Sequence, residues 1–107
     1  MTPADACGPL AKAVGGDGCK ETKPHGLSAA ATSSYSFDLA DPKGEMCGVF
    51  GFKSADDLDA TEKAFTAAAA LAGPHRFANK SRLLFVQCNS GMPAADGAKI
   101  EAALKAL

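Results

Sequence analysis

The chain has no tryptophan, a single tyrosine, and aromatic residues at only 7% of its 107 positions. A core built mainly from large rings is therefore excluded, and the placement of each phenylalanine becomes informative. Charge of one sign is missing too: 11 Lys and Arg stand against 12 Asp and Glu. That balance excludes a basic nucleic-acid surface and a polyacidic tail. No apolar run approaches the roughly 18 residues of a membrane-spanning helix, so no membrane span is expected.

Chemical motifs are equally scarce. There is no CxxC, CxC or Cys-His cluster, which argues against a zinc centre and against a thioredoxin-like redox pair. The serines lie in no GxSxG or SxxK context, and no phosphate loop or dinucleotide fingerprint occurs. Asp17-Gly18 alone does not make a calcium loop. No catalytic residue, metal or cofactor is therefore expected. Asn79-Lys80-Ser81 matches a glycosylation sequon, a pattern short enough to arise by chance.

Apolar residues make up 47% of the chain, too many for a disordered polypeptide. A single domain of this length is expected to bury about 65% of its open-chain surface, enough for one modest core. The unusual number is four cysteines, at positions 7, 19, 47 and 88. An even count in a short chain points to disulfides and an exported protein. Met1-Thr2-Pro3-Ala4-Asp5 has neither a basic region nor an apolar stretch. The expectation is a periplasmic or extracellular protein in which Met1 stands where an export signal or lipid-anchor sequence was removed. A cytoplasmic chain with buried free cysteines is the other reading.

Three connectivities are possible. Cys7–Cys19, closing 13 residues, and Cys47–Cys88, closing 42, are preferred. Loop-closure entropy assigns them about 2.9 and about 3.9 kcal/mol.

Residues 1–34 read as an irregular, disulfide-tethered segment and 35–107 as a ββαβα core. In the first, a short helix over Pro9–Val14 ends at Gly15-Gly16, and Lys20–Ser34 reads as a loop with room for one short strand. In the second, Tyr35–Leu39 alternates as a half-buried strand. Asp41-Pro42-Lys43-Gly44 suits a type I turn into a return strand, Met46–Lys53. Ser54 caps a helix over Ala55–Ala72, closed by Gly73-Pro74. Ser81–Cys88 is a third strand, and a last helix follows Pro93 with Ile100, Ala103, Leu104 and Leu107 on one face.

The pieces predict an α+β two-layer sandwich: a short helix, then β-β-α-β-α, with a small mixed sheet and two helices packed on one face. The strands on either side of the first core helix are expected to be parallel through a right-handed crossover. If Phe50, Phe52 and Phe85 meet the helices, Cys47, Val49, Leu84, Val86 and Cys88 share the opposite face. That face is too apolar to stay in water. Either the N-terminal segment covers it, with crossed cysteine pairings then open, or a protein partner or second copy does.

Parallel strands would also bring Lys53, Ser54, Asn89, Ser90 and Gly91 to one sheet edge, before two helix N-termini, as a candidate site for an anion or small polar ligand. Plain capping by Ser54 and Ser90 is the competing reading. His25 and His75 lie in loops. The functional expectation is an exported, disulfide-stabilised, non-enzymatic binding or interaction module. The alternative is a thiol-redox or metal-handling protein using the cysteines and both histidines.

Overall fold

Thr2 opens the first helix. In the computed structural model, which describes residues 1–107, helix α1 spans Pro3–Ala13. The Thr2 hydroxyl accepts from the Asp5 N–H (3.3 Å) and the Asp5 carboxylate accepts from the Thr2 N–H (3.1 Å), a reciprocal capping box. The bond from the Thr2 N–H foremost, and a second from the Thr2 hydroxyl (3.0 Å), hold the Asp5 carboxyl below its ordinary range.

The helix is longer than the Pro9–Val14 read from sequence because Gly8 and Pro9 fall on its solvent side. The carbonyl that Pro9 leaves without its helical partner belongs to exposed Asp5, where water reaches it. Ala6, Cys7, Leu10 and Ala11 bury the opposite side. Gly15, at φ +65°, ends the helix: its N–H donates to the Lys12 carbonyl (3.1 Å) and the Gly16 N–H to that of Ala11 (2.8 Å).

Five strands follow: β1 Asp17–Thr22, β2 Ser33–Asp38, β3 Met46–Gly51, β4 Arg76–Asn79 and β5 Leu84–Cys88. They form one sheet in the order β1-β2-β3-β5-β4, and every neighbouring pair is antiparallel. The β2–β3 hairpin stands where the sequence placed it. Its turn closes one residue later, with the Glu45 N–H on the Pro42 carbonyl (3.4 Å) and Gly44 at φ +91°.

The first core helix divides into α2, Ala55–Ala67, and a single turn α3, Ala69–Ala72. Ser54 caps α2 through the Asp57 N–H (3.2 Å). Near its end the Thr66 hydroxyl donates back to the Glu62 carbonyl (2.8 Å), a bond that bends helices. Beyond it no residue of α3 is fully buried, Leu71 is 92% exposed and only Ala72 packs on the sheet side, so little holds the two segments in line. Helix α4 spans Ala94–Lys105 and buries Gly97, Ile100 and Leu104.

The expected parallel pairing is corrected here. Strand β4 lies in the Pro74–Lys80 stretch that sequence left unassigned, so the crossover from β3 delivers β4 one place away. A tight hairpin then returns β5 antiparallel into the gap between them. Asn79 shapes that hairpin: its Oδ1 accepts from the Ser81 hydroxyl (2.8 Å) and the Arg82 N–H (3.1 Å). Its Nδ2 donates to the Leu104 carbonyl at the end of α4 (2.8 Å), so the sequon's acceptor nitrogen is buried and committed. Asn79→Ala removes all three bonds and leaves the Leu104 carbonyl with only its backbone bond from the Leu107 N–H (3.3 Å). A loss of about 2–3 kcal/mol in urea unfolding is expected; a loss below about 0.5 kcal/mol contradicts this role.

The α+β sandwich stands, and a helix pair does pack on one sheet face, but the pair is α1 and α4. They cover Phe37, Cys47, Val49, Leu84, Val86 and Cys88, the face that sequence reading left uncovered. Of the two covers expected for this face, the N-terminal segment is the one that supplies it, through α1 with α4 beside it, and the cysteine pairings are not crossed. Helix α2 lies on the other face, where Leu58 and Phe65 join Phe52 and Phe85. No helix is long and apolar enough to cross a membrane.

Both preferred disulfides are present, Cys7–Cys19 and Cys47–Cys88, and no cysteine is free. Cys47 and Cys88 stand directly opposite each other on β3 and β5 with Cα atoms 4.0 Å apart. Their flanking residues exchange the ladder bond from the Asn89 N–H to the Met46 carbonyl (3.0 Å), so the bridge occupies a non-hydrogen-bonded pair, where side chains approach most closely.

Candidate functional site

Strand register lines up Lys20, Ser36, Gly48, Gln87 and Arg76 across the sheet. Opposed residues share a face, and this row faces the α2 side. The adjoining row is Thr22, Ser34, Phe50, Phe85 and Ala78. Phe65 of α2 sits on that second row, its ring centroid 5.4 Å from Phe85 and 6.0 Å from Phe50. The helix thus covers the aromatic row and stops short of the polar one.

A cleft of ≈ 390 Å³ remains over Ser36, Gly48 and Gln87. Its floor is unusual because Gly48 has no side chain. The half-buried Phe50 leans its ring into that space, and a Cβ on Gly48 would meet the Phe50 Cζ at 2.8 Å. One wall is the loop carrying a single 3-10 turn, Gly26–Ser28. The His25 N–H donates to the Ser28 hydroxyl (3.2 Å), which donates to the His25 carbonyl (2.9 Å), so this wall is braced internally. The His25 ring contacts the Lys23 carbonyl through Nδ1 (2.9 Å). A carbonyl only accepts, so Nδ1 carries the proton and Nε2 of the neutral ring is a free acceptor. Lys23 and His25 are the only ionisable side chains lining the cleft, and no carboxylate does.

Two buried polar atoms in this cleft have no partner, Ser36 Oγ and Gln87 Oε1. Ser36 is 6% exposed and Gln87 9%. The Gln87 amide is oriented by its other end, where Nε2 donates to the carbonyls of Ala72 (2.9 Å) and Cys88 (3.1 Å). Other serines of this face are satisfied: Ser34 bonds to Thr22 through its carbonyl and hydroxyl, and Ser28 bonds within its turn. Buried polar groups nearly always find partners, so two orphans in one cleft are an exception that contacts within the fold do not account for.

The edge site read from sequence does not assemble. Because β3 and β5 are antiparallel, Lys53 and Ser54 follow the far end of β3, while Asn89 pairs with Met46 at its start. The two groups are separated by the length of a six-residue strand, about 17 Å. Ser54 acts as a cap and Lys53 is exposed. Ser90 backs onto Gly73, and Gly91 lies under the Glu45 carboxylate, which occupies the space a Cβ would need. Only Asn89 reaches the cleft, at its rim.

Nor do the groups invoked by the thiol or metal alternative converge. Every cysteine is paired, and no three His, Cys, Asp or Glu side chains come together. His75 stands near Gly97 of α4, whereas His25 lines the cleft.

The sequence carried one readable signal for the cleft. Gln87 interrupts Leu83-Leu84-Phe85-Val86 on the same alternation as Phe85, a polar group on an apolar face. Ser36 carries no such signal: alternation sets it opposite Tyr35, Phe37 and Leu39, and nothing local shows that both sheet faces are covered. Comparison with family models, curated proteins and solved structures finds no match to this chain.

Proposed function

We propose that this chain is an exported, disulfide-stabilised, non-enzymatic binding module whose ligand seats in the cleft beside α2. The observation that carries the reading is the pair of buried, unpartnered atoms, Ser36 Oγ and Gln87 Oε1, in one hollow. An orphaned buried hydroxyl or amide oxygen costs about 1–3 kcal/mol that folding alone does not recover. A ligand that bonds to both recovers it on binding. Two disulfides in a small domain suit an oxidising compartment, which supports export. The absence of any converging acid, base and nucleophile set at the cleft favours binding over catalysis.

The reading makes a prediction that needs no ligand. Ser36→Ala removes a hydroxyl that bonds to nothing, so it should leave stability unchanged or raise it by about 1 kcal/mol. The unfolding midpoint would then rise by a few degrees. A buried serine held for folding behaves oppositely. A loss of 1 kcal/mol or more in Ser36→Ala shows that the hydroxyl serves the fold and removes the basis for the binding reading. Ser34→Ala is the internal comparison, expected to lose about 1 kcal/mol because its hydroxyl bonds to Thr22.

A further inference from the structure

Resting on the binding reading above, we infer that the cleft takes a cyclic polyol of monosaccharide size, with acidic sugars preferred over neutral ones and cationic ones disfavoured. Four features converge on that class. The volume, ≈ 390 Å³, lies at the small end of the roughly 300–1,000 Å³ range of ligand pockets. The unpaired groups are an amide oxygen and a hydroxyl, and His25 Nε2 adds a further acceptor, so the complementary ligand is rich in O–H donors.

Geometry supplies the ring. Ser36 and Gln87 stand on either side of Gly48, two strand spacings apart, or about 10 Å between their backbones. Between them lies the Phe50 ring in the hollow left by Gly48. An apolar floor flanked by hydrogen-bonding groups suits a molecule with C–H surface in the middle and hydroxyls around its edge. The negative face of an aromatic ring attracts the slightly positive C–H groups of such a molecule. Electrostatics set the order among sugars. Lys23 borders the cleft and no carboxylate does, so a carboxylate substituent is attracted and an ammonium is not.

The test is an amide-shift titration of the oxidised chain with glucose, glucuronate, glucosamine and benzamide. Saturable shifts at Gly48, Phe50 and Gln87 are expected with glucuronate, then glucose. Glucuronate should bind roughly 2–5-fold more tightly than glucose, the advantage an exposed ion pair supplies. That gap should close in molar salt, where screening extends only about 3 Å. Ser36→Ala should weaken glucuronate binding roughly 3–10-fold while the rest of the spectrum is unchanged. Glucosamine binding as tightly as glucuronate, or benzamide shifting these amides while no sugar does, overturns the sugar assignment and leaves the cleft as a site for another class. If none of the four shifts these amides, the sugar assignment also falls, while the binding reading is decided separately by Ser36→Ala stability.

Discussion

Replacing Cys47 and Cys88 together by alanine is expected to lower the unfolding free energy by about 4 kcal/mol and the thermal midpoint by roughly 15–20 °C, read by circular dichroism. The bridge joins residues 41 apart in sequence. Within that loop lie α2, α3, β4 and the return into β5, so the unfolded chain without the bridge regains the freedom of the whole crossover. Both cysteines are fully packed, at 0% and 1% exposure, and the lost sulfurs leave unfilled space that adds to the entropic effect. For a domain with about 5–15 kcal/mol in total, that is a large share.

The comparison that makes this result interpretable is the Cys7→Ala/Cys19→Ala variant. Its bridge spans 12 residues of separation and one end, Cys19, lies on the exposed edge strand β1. Loop closure gives it about 2.9 kcal/mol, and α1 keeps its capping box and its packing without it. The expected order is therefore a larger loss for 47–88 than for 7–19. The reverse order would mean that α1 depends on its tether to β1 more than on burial of Leu10 and Ala11, and the core described above would need revision.

Legibility of the fold tracked how local each determinant was. The faces of β3 and β5 were readable because alternation is a two-residue property: Phe50 and Phe85 fell on one side, Val49 and Val86 on the other, which put Cys47 and Cys88 on the same side, while Cys7–Cys19 rested on its short spacing. Strand β4 was invisible. Arg76-Phe77-Ala78-Asn79 is four residues long, its burial shows no alternation, and what holds it is pairing with β5 across a hairpin and the Asn79 contact to Leu104, 25 residues on. Missing one short strand reversed the direction assigned to the next, and so dispersed the edge site built on parallel ends. The helix assignments failed similarly: α4 has a clear stripe, yet nothing local states which sheet face the stripe meets. The cleft was hidden by the same gap, since Ser36 is polar on an alternating strand and only the covering of both faces makes its hydroxyl an orphan.

Phe65→Ala should produce the second large effect, a loss of about 3–4 kcal/mol concentrated on one side of the sheet. The α2 face has four buried apolar residues, Phe52, Leu58, Phe65 and Phe85, against fourteen on the α1/α4 face. Phe65 packs its ring against Phe85 and the half-buried Phe50, and of the four, α2 itself contributes only Phe65 and Leu58. With the ring gone, α2 has one apolar anchor left, and a 13-residue helix is marginal without packing. Hydrogen exchange should therefore show α2 amides losing protection by more than the global change, while α1 and α4 amides fall only with global stability. Phe37→Ala, in the larger cluster, removes the same volume and should lower all regions together. Equal loss across α1, α2 and α4 in Phe65→Ala would show that the two faces unfold as one unit. The expected asymmetry bears on binding because Phe65 also stands over the cleft. The cleft then lies beside the less securely held of the two layers, so a ligand bridging Ser36 and Gln87 should raise α2 protection in the wild-type chain by binding only the state in which α2 is folded.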